Sequence, residues 1–137
     1  RLTIWGGGPG SAAVATEDPQ FDNDQIALGA FATRQALEVL DTGSASILQV
    51  VTEYADEEGT GRSVLQLQFI DNQFTVVGYF HAGEHLGQGF ECDVDLWNMI
   101  ATENGQQRQL DPVGFDALNA SDWTWDAAYE RGFCTQS

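Results

Sequence analysis

Both histidines of the chain and a carboxylate fall within five residues, His81-Ala82-Gly83-Glu84-His85. Two imidazoles four residues apart face one way on a helix, so His81 and His85 are the candidate ligands for a transition metal. The order differs from H-E-x-x-H, and Gly83 sits between the pair in what reads as a strand running into a loop, where solvated histidines are the alternative. Glu84 beside a histidine is the candidate for general acid–base work, although the sequence offers no third group to orient it.

Carboxylates form the second group. They cluster at Glu17, Asp18, Asp22 and Asp24, at Asp56, Glu57 and Glu58, and at Glu91, Asp93 and Asp95. Calcium takes six to eight oxygens in flexible geometry, and calcium is the one cofactor these clusters suggest. Glu91, Asp93 and Asp95 alternate as residues on one strand face do, so a cation there would relieve their mutual repulsion. Solvated acidic turns are the competing reading, and no cluster has the EF-hand spacing. Aromatic residues gather near the C-terminus. Trp97, Trp123, Trp125 and Tyr129 are candidates for a contact platform, because rigid aromatic faces stack on ligands and are enriched in interfaces. More often such residues are the material of a core.

Cys92 and Cys134 match no C-x-x-C or zinc pattern. Pairing would close a 42-residue separation, restrict the unfolded chain by about 4 kcal/mol and fasten a terminus that would otherwise fray. A disulfide implies an oxidising compartment, so the expected location is secreted, periplasmic or at the cell surface. Neither cysteine has basic neighbours to activate a thiolate, and there is no G-x-S-x-G nucleophile motif.

The chain of 137 residues carries 21 acidic residues against five arginines and no lysine, a formal net charge of -16. Arg1, Arg34, Arg62, Arg108 and Arg131 are too few and too scattered to track a phosphate backbone, which argues against nucleic acid and equally against an anionic membrane surface. The absence of lysine removes Schiff-base and P-loop chemistry. No apolar run is long enough to span a bilayer. The remaining partners are proteins, including a second copy of the chain.

The elements that must position these groups read as an α+β domain. Residues 1–20 form a flexible arm around Gly6-Gly7-Gly8-Pro9-Gly10, and residues 21–137 form one globular unit. Asp22 and Gln25 stand as in a capping box, and apolar residues at helical spacing predict a helix from Asn23 to Leu40, ended by Gly43. From Ser46 the period changes to two, which predicts strands at Ile47–Tyr54, Ser63–Ile70 and Phe74–Phe80, with a tight turn at Asp71-Asn72. Gly83, Gly87 and Gly89 suggest a wide loop before a possible fourth strand at Phe90–Val94. Asp95–Ala101, a segment from Asp111-Pro112 and another from Ser121 to Arg131 read as short helices. The expected fold is thus an N-terminal helix packed on an antiparallel meander of three to four strands, with a short helical C-terminal segment tied by the disulfide.

That order of helix, meander and C-terminal disulfide loop, over Asp22 to Cys134, resembles the globular part of type IV pilins and pseudopilins. The resemblance implies a filament subunit. A helix on a curved meander is also similar to cone-shaped folds that hold a small ligand, which would put a polar site at residues 81–85. The expected function is therefore a non-catalytic extracytoplasmic module, either an assembly subunit or a protein-binding domain, with a small ligand-binding or enzymatic cone as the alternative.

Overall fold

A computed structural model describes residues 2–4, 21–23, 32–41, 43, 46–70 and 73–135. The fold is a seven-stranded antiparallel sheet, and the predicted helix-on-meander architecture is overturned. Strands β3 (Ala32–Asp41), β4 (Ser46–Ala55), β5 (Gly59–Ile70), β6 (Gln73–His85), β7 (Gln88–Asp95), β8 (Ile100–Glu103) and β9 (Gln106–Gln109) lie in the sheet in chain order. A separate pair, β1 (Leu2–Ile4) and β2 (Phe21–Asn23), brings Leu2 into the core. The glycine-rich arm, Gln25 of the capping box and the Asp71-Asn72 turn lie outside the described residues, as do Glu17, Asp18 and Asp24.

The helix expected over Asn23–Leu40 fails where it is described. Ala32–Asp41 is an edge strand whose residues pair with Ser46–Tyr54 of β4, and residues 24–31 lie outside the described residues. Leu37 and Leu40 fit a helical period, but Leu37 and Val39 fit a period of two equally well. The choice falls to pairing with β4, which is a tertiary term that local propensity does not contain. Gly43 supports the hairpin with a positive φ of 85°, and its N–H donates to the Asp41 carboxylate at 2.9 Å.

The wide loop expected after His81 is also absent. β6 runs on to His85 and turns through Leu86 and Gly87, at φ 50° and 81°, directly into β7. Both residues of such a two-residue turn need positive φ. The β8–β9 turn meets this demand with Asn104 and Gly105, at φ 52° and 84°. The segment predicted as a helix at Asp95–Ala101 is the end of β7, a turn and the start of β8, with the Asp95 carboxylate accepting from the backbone N–H groups of Trp97 and Asn98. Among the described residues no helix exceeds one turn: two 3-10 segments, Phe115–Leu118 and Ala120–Asp122, and α1 (Ala127–Glu130).

Because paired residues share a face, the register sorts the sheet into rows. Leu37, Val50, Leu65, Tyr79, Val94 and Ala101 form one row on the face carrying the main core, and Gln35, Thr52, Ser63, His81, Cys92 and Glu103 form the next. A bulge in β6 gives it one extra residue between the pairs Gln66–Gly78 and Leu67–Val76, so Val76 and Tyr79 both face the core despite their odd spacing. The C-terminal segment caps this face. Leu118, Ala120, Trp123, Ala127, Ala128 and Phe133 pack onto the sheet as the second layer.

The cap is tied down where Cys92 of β7 meets Cys134, with a Cα separation of 6.1 Å. Gly132, at φ 79°, turns the chain out of α1 so that the Phe133 and Cys134 N–H groups both donate to the Ala128 carbonyl. The Arg108 guanidinium donates to the carbonyls of Gly132 and Phe133, and Glu103 accepts from the Thr135 N–H and hydroxyl.

Two outcomes are expected from this architecture. Leu86→Asn replaces an exposed residue in a left-handed conformation by one that tolerates it, and should stabilise the fold by roughly 0.5–1 kcal/mol in urea titration. Reducing the disulfide should cost about 4 kcal/mol on the loop-entropy argument and shift the fluorescence of the buried Trp123 to the red in conditions where the unreduced protein is unchanged.

Candidate functional site

Of the residues singled out by type, the fold brings His81, Trp125 and Tyr129 together, with His81 at the centre. It projects from β6 onto the core face beside the cap and is 7% exposed. Its Nε2 lies 2.6 Å from the Tyr54 hydroxyl and its Nδ1 2.6 Å from the Tyr129 hydroxyl. The rings of Phe90, Tyr54, Tyr129 and Trp125 stand 4.9, 5.8, 5.9 and 6.1 Å from the imidazole, centre to centre.

Each neighbour has a local cause. Tyr54 is one row beyond His81, and its cross-strand partner on β5 is Gly61. A Cβ on Gly61 would fall on the Tyr54 ring and hydroxyl, so glycine there lets the ring lie across β5 and reach β6. Phe90 arrives through the β6–β7 hairpin, opposite Gly83. Tyr129 and Trp125 come with the cap, held by the disulfide one strand away.

Tyr79, two residues before His81 and nearly fully buried, has its ring 6.2 Å from the imidazole, centre to centre, and lies close enough to Tyr129 for the two phenols to influence each other. A neutral imidazole donates at one nitrogen and accepts at the other, so one of the two phenols donates to the ring and the other accepts from it.

Burial sets the titration. Removal from water pushes His81 down to about 4, so the imidazole is neutral over the physiological range. Burial also raises the phenols: Tyr129 is pushed up to about 12, with Tyr54 and Glu103 contributing, Tyr79 goes higher still, and Tyr54 rises through burial and the charge of Asp56. With both ring nitrogens engaged and the phenols protonated, the network has neither an available lone pair for a base or metal nor a phenolate nucleophile.

His81 lies between two hollows. One, of about 540 Å³, is lined by Trp125, Asp126, Tyr129, Gly132, Cys134 and Thr135 together with His81. The other, of about 180 Å³, is lined by Tyr54, Asp56, Gly59, Glu84, His85 and Phe90, again with His81.

The remaining candidates separate. Glu84 and His85 line the smaller hollow, but the His85 Nδ1 faces Glu58 at 3.8 Å. Glu91, Asp93 and Asp95 lie on the outer face of β7, away from the cap, since Cys92 and Val94 between them face the core. Asp93 is raised by burial first and then by Glu91 and Asp95, while the Asp95 carboxylate accepts from Trp97, Asn98 and the Asn98 side-chain amide. Among the described residues, no group of three or more His, Cys, Asp or Glu has a geometry that could hold a metal ion. The four aromatic candidates also divide. Trp123 is core, stacked on Phe133 with Arg131 over its ring; Trp97 is 51% exposed on the turn after β7; Trp125 and Tyr129 meet at His81.

Tyr54, Tyr79, Phe90 and Gly61 escaped the reading by residue type. The signal for Tyr54 was present: counting outward from the Asp56–Glu58 turn sets Tyr54 against Gly61, a large ring against a vacancy.

The network predicts a pH dependence of defined sign. A histidine lowered in the fold binds its proton first in the unfolded chain, so its contribution is complete above about pH 6.5 and is lost as the pH falls towards 4, by about 3 kcal/mol at most. Urea titrations across that window should show a steeper loss for the natural protein than for His81→Gln, and the His81 ring resonances should titrate near pH 4. Compared with known proteins, the chain matches no family model, no curated protein sequence and no solved structure.

Proposed function

We propose that the chain is a non-catalytic module of an oxidising, extracytoplasmic compartment that works by association with a second copy of itself through the β3 edge of the sheet. The observation that carries this is the uncovered apolar strip on that edge. Leu37 and Val39 continue the rows of Val50 and Leu48 on the core face beyond the reach of the cap, and they are 59% and 71% exposed. Single exposed apolar residues are ordinary, but two in register at the end of a buried face, on a ten-residue edge strand, form a surface suited to another chain.

Charge favours a second copy as the occupant. Arg34 and Glu38 lie on the opposite face of β3, four residues apart. An antiparallel copy centred on Ala36 sets Arg34 of each chain against Glu38 of the other, and brings the two Leu37 side chains to neighbouring positions. The net charge of -16 opposes this contact at low salt, so added salt should promote it. The Cys92–Cys134 disulfide supports the compartment, and no helix among the described residues is long and apolar enough to cross a membrane. The filament reading drawn from pilins loses its basis together with the N-terminal helix.

Light scattering on the full chain over rising concentration and salt tests the proposal. Association is expected, strengthened by salt and abolished by Leu37→Glu with Val39→Lys, while far-UV circular dichroism stays unchanged. A monomer at all concentrations and salts, or association that survives the double substitution, overturns it.

A further inference from the structure

We infer that the hollow between the cap and His81 is a binding site for a small organic cation, held between the Trp125 and Tyr129 rings with Asp126 as its counter-charge. The volume of about 540 Å³ lies within the range of small-molecule sites. Its walls combine an indole, a phenol and a neutral imidazole, and the formal charge lining it belongs to Asp126. Aromatic faces attract cations through their quadrupole, and the attraction grows where water is displaced.

The surrounding charge has the same sign. Glu103 acts on the Tyr129 phenol, Asp126 on Tyr79 and Asp56 on Tyr54, so carboxylates dominate the field at the network. In the adjoining smaller hollow Asp56 and Glu84 are the acidic groups, with His85 beside them. The arginines that come near are engaged elsewhere. Arg108 holds the carbonyls of Gly132 and Phe133 and pairs with Glu103, and Arg131 covers Trp123. Neither lines either hollow.

An anion would enter this site against the field, and a neutral apolar ligand would leave it unused. Inorganic cations are poorly served as well, because the site offers aromatic faces and one carboxylate where calcium or magnesium needs a shell of oxygens. A weakly hydrated ammonium with an apolar body, such as a quaternary amine, uses both features.

Choline and its uncharged isostere 3,3-dimethylbutan-1-ol separate the contributions. With the full-length oxidised protein at constant ionic strength, choline should shift the Trp125 indole resonance saturably, and the isostere should bind about tenfold more weakly. Asp126→Asn, which removes no side-chain cap bond from α1, should reduce choline affinity severalfold and leave the isostere unaffected. Followed by the His81 ring resonances, which report on the same hollow, Trp125→Ala should abolish both responses; Trp125→Phe, which keeps an aromatic face, should retain part of the choline response if the alanine variant does not fold. No saturable response to choline, equal affinity for the isostere, or unchanged choline affinity in Asp126→Asn each overturns the inference. The oligomeric state is read separately, so failure here leaves the β3 proposal standing and the reverse also holds.

Discussion

The sheet face that carries Val50, Leu65, Tyr79 and Val94 must have a cover, and in this chain the described cover on that side is built from helical pieces of one turn each. Such pieces do not hold their own conformation, because nucleating a turn costs more than its hydrogen bonds return. The cap therefore depends on attachments to the sheet. The Cys92–Cys134 bond supplies the covalent one, and Arg108 and Glu103 hold the chain on either side of Cys134. The burial of Trp123, the position of Tyr129 against His81 and the hollow beside Trp125 all follow from that fastening.

The His81 network shows what the fastening achieves. A histidine in a β-sheet core must be hydrogen-bonded at both nitrogens or pay for its desolvation. One partner, Tyr54, comes from the sheet and the other, Tyr129, from the cap. The imidazole thus reports that the two layers are in register, much as a polar pair specifies alignment in other cores, and the same bonds that make it a good spacer make it a poor catalyst.

The strands at residues 46–80 were legible because half-buried antiparallel strands write their period directly into the sequence, as Leu65, Gln66, Leu67 and Gln68 do. The disulfide was legible from there being two cysteines, matching no metal or redox pattern, with a 42-residue separation that a bridge would close. β3 was not, since its leucines and valine satisfy both periods and it faces a partner on one edge only. The glycines at 83, 87 and 89 misled in a different way: Gly87 does make a turn, whereas Gly83 and Gly89 lie within paired strands. Of the site, His81 was found by residue type, but its partners are 27 and 48 positions away and become neighbours only through strand order and cap docking.

Sheet order that follows chain order also bears on how the protein is made. Each of the seven strands pairs with the strand just before or after it, so the sheet can be laid down one hairpin at a time as the chain is delivered from its N-terminal end. The cap is the exception, since Cys134 follows its partner by 42 positions and comes after the last strand of the sheet. Until the cap segment arrives and is oxidised, the sheet waits with its main core face open, and this interval is when an assisting oxidase or a chaperone has most to contribute.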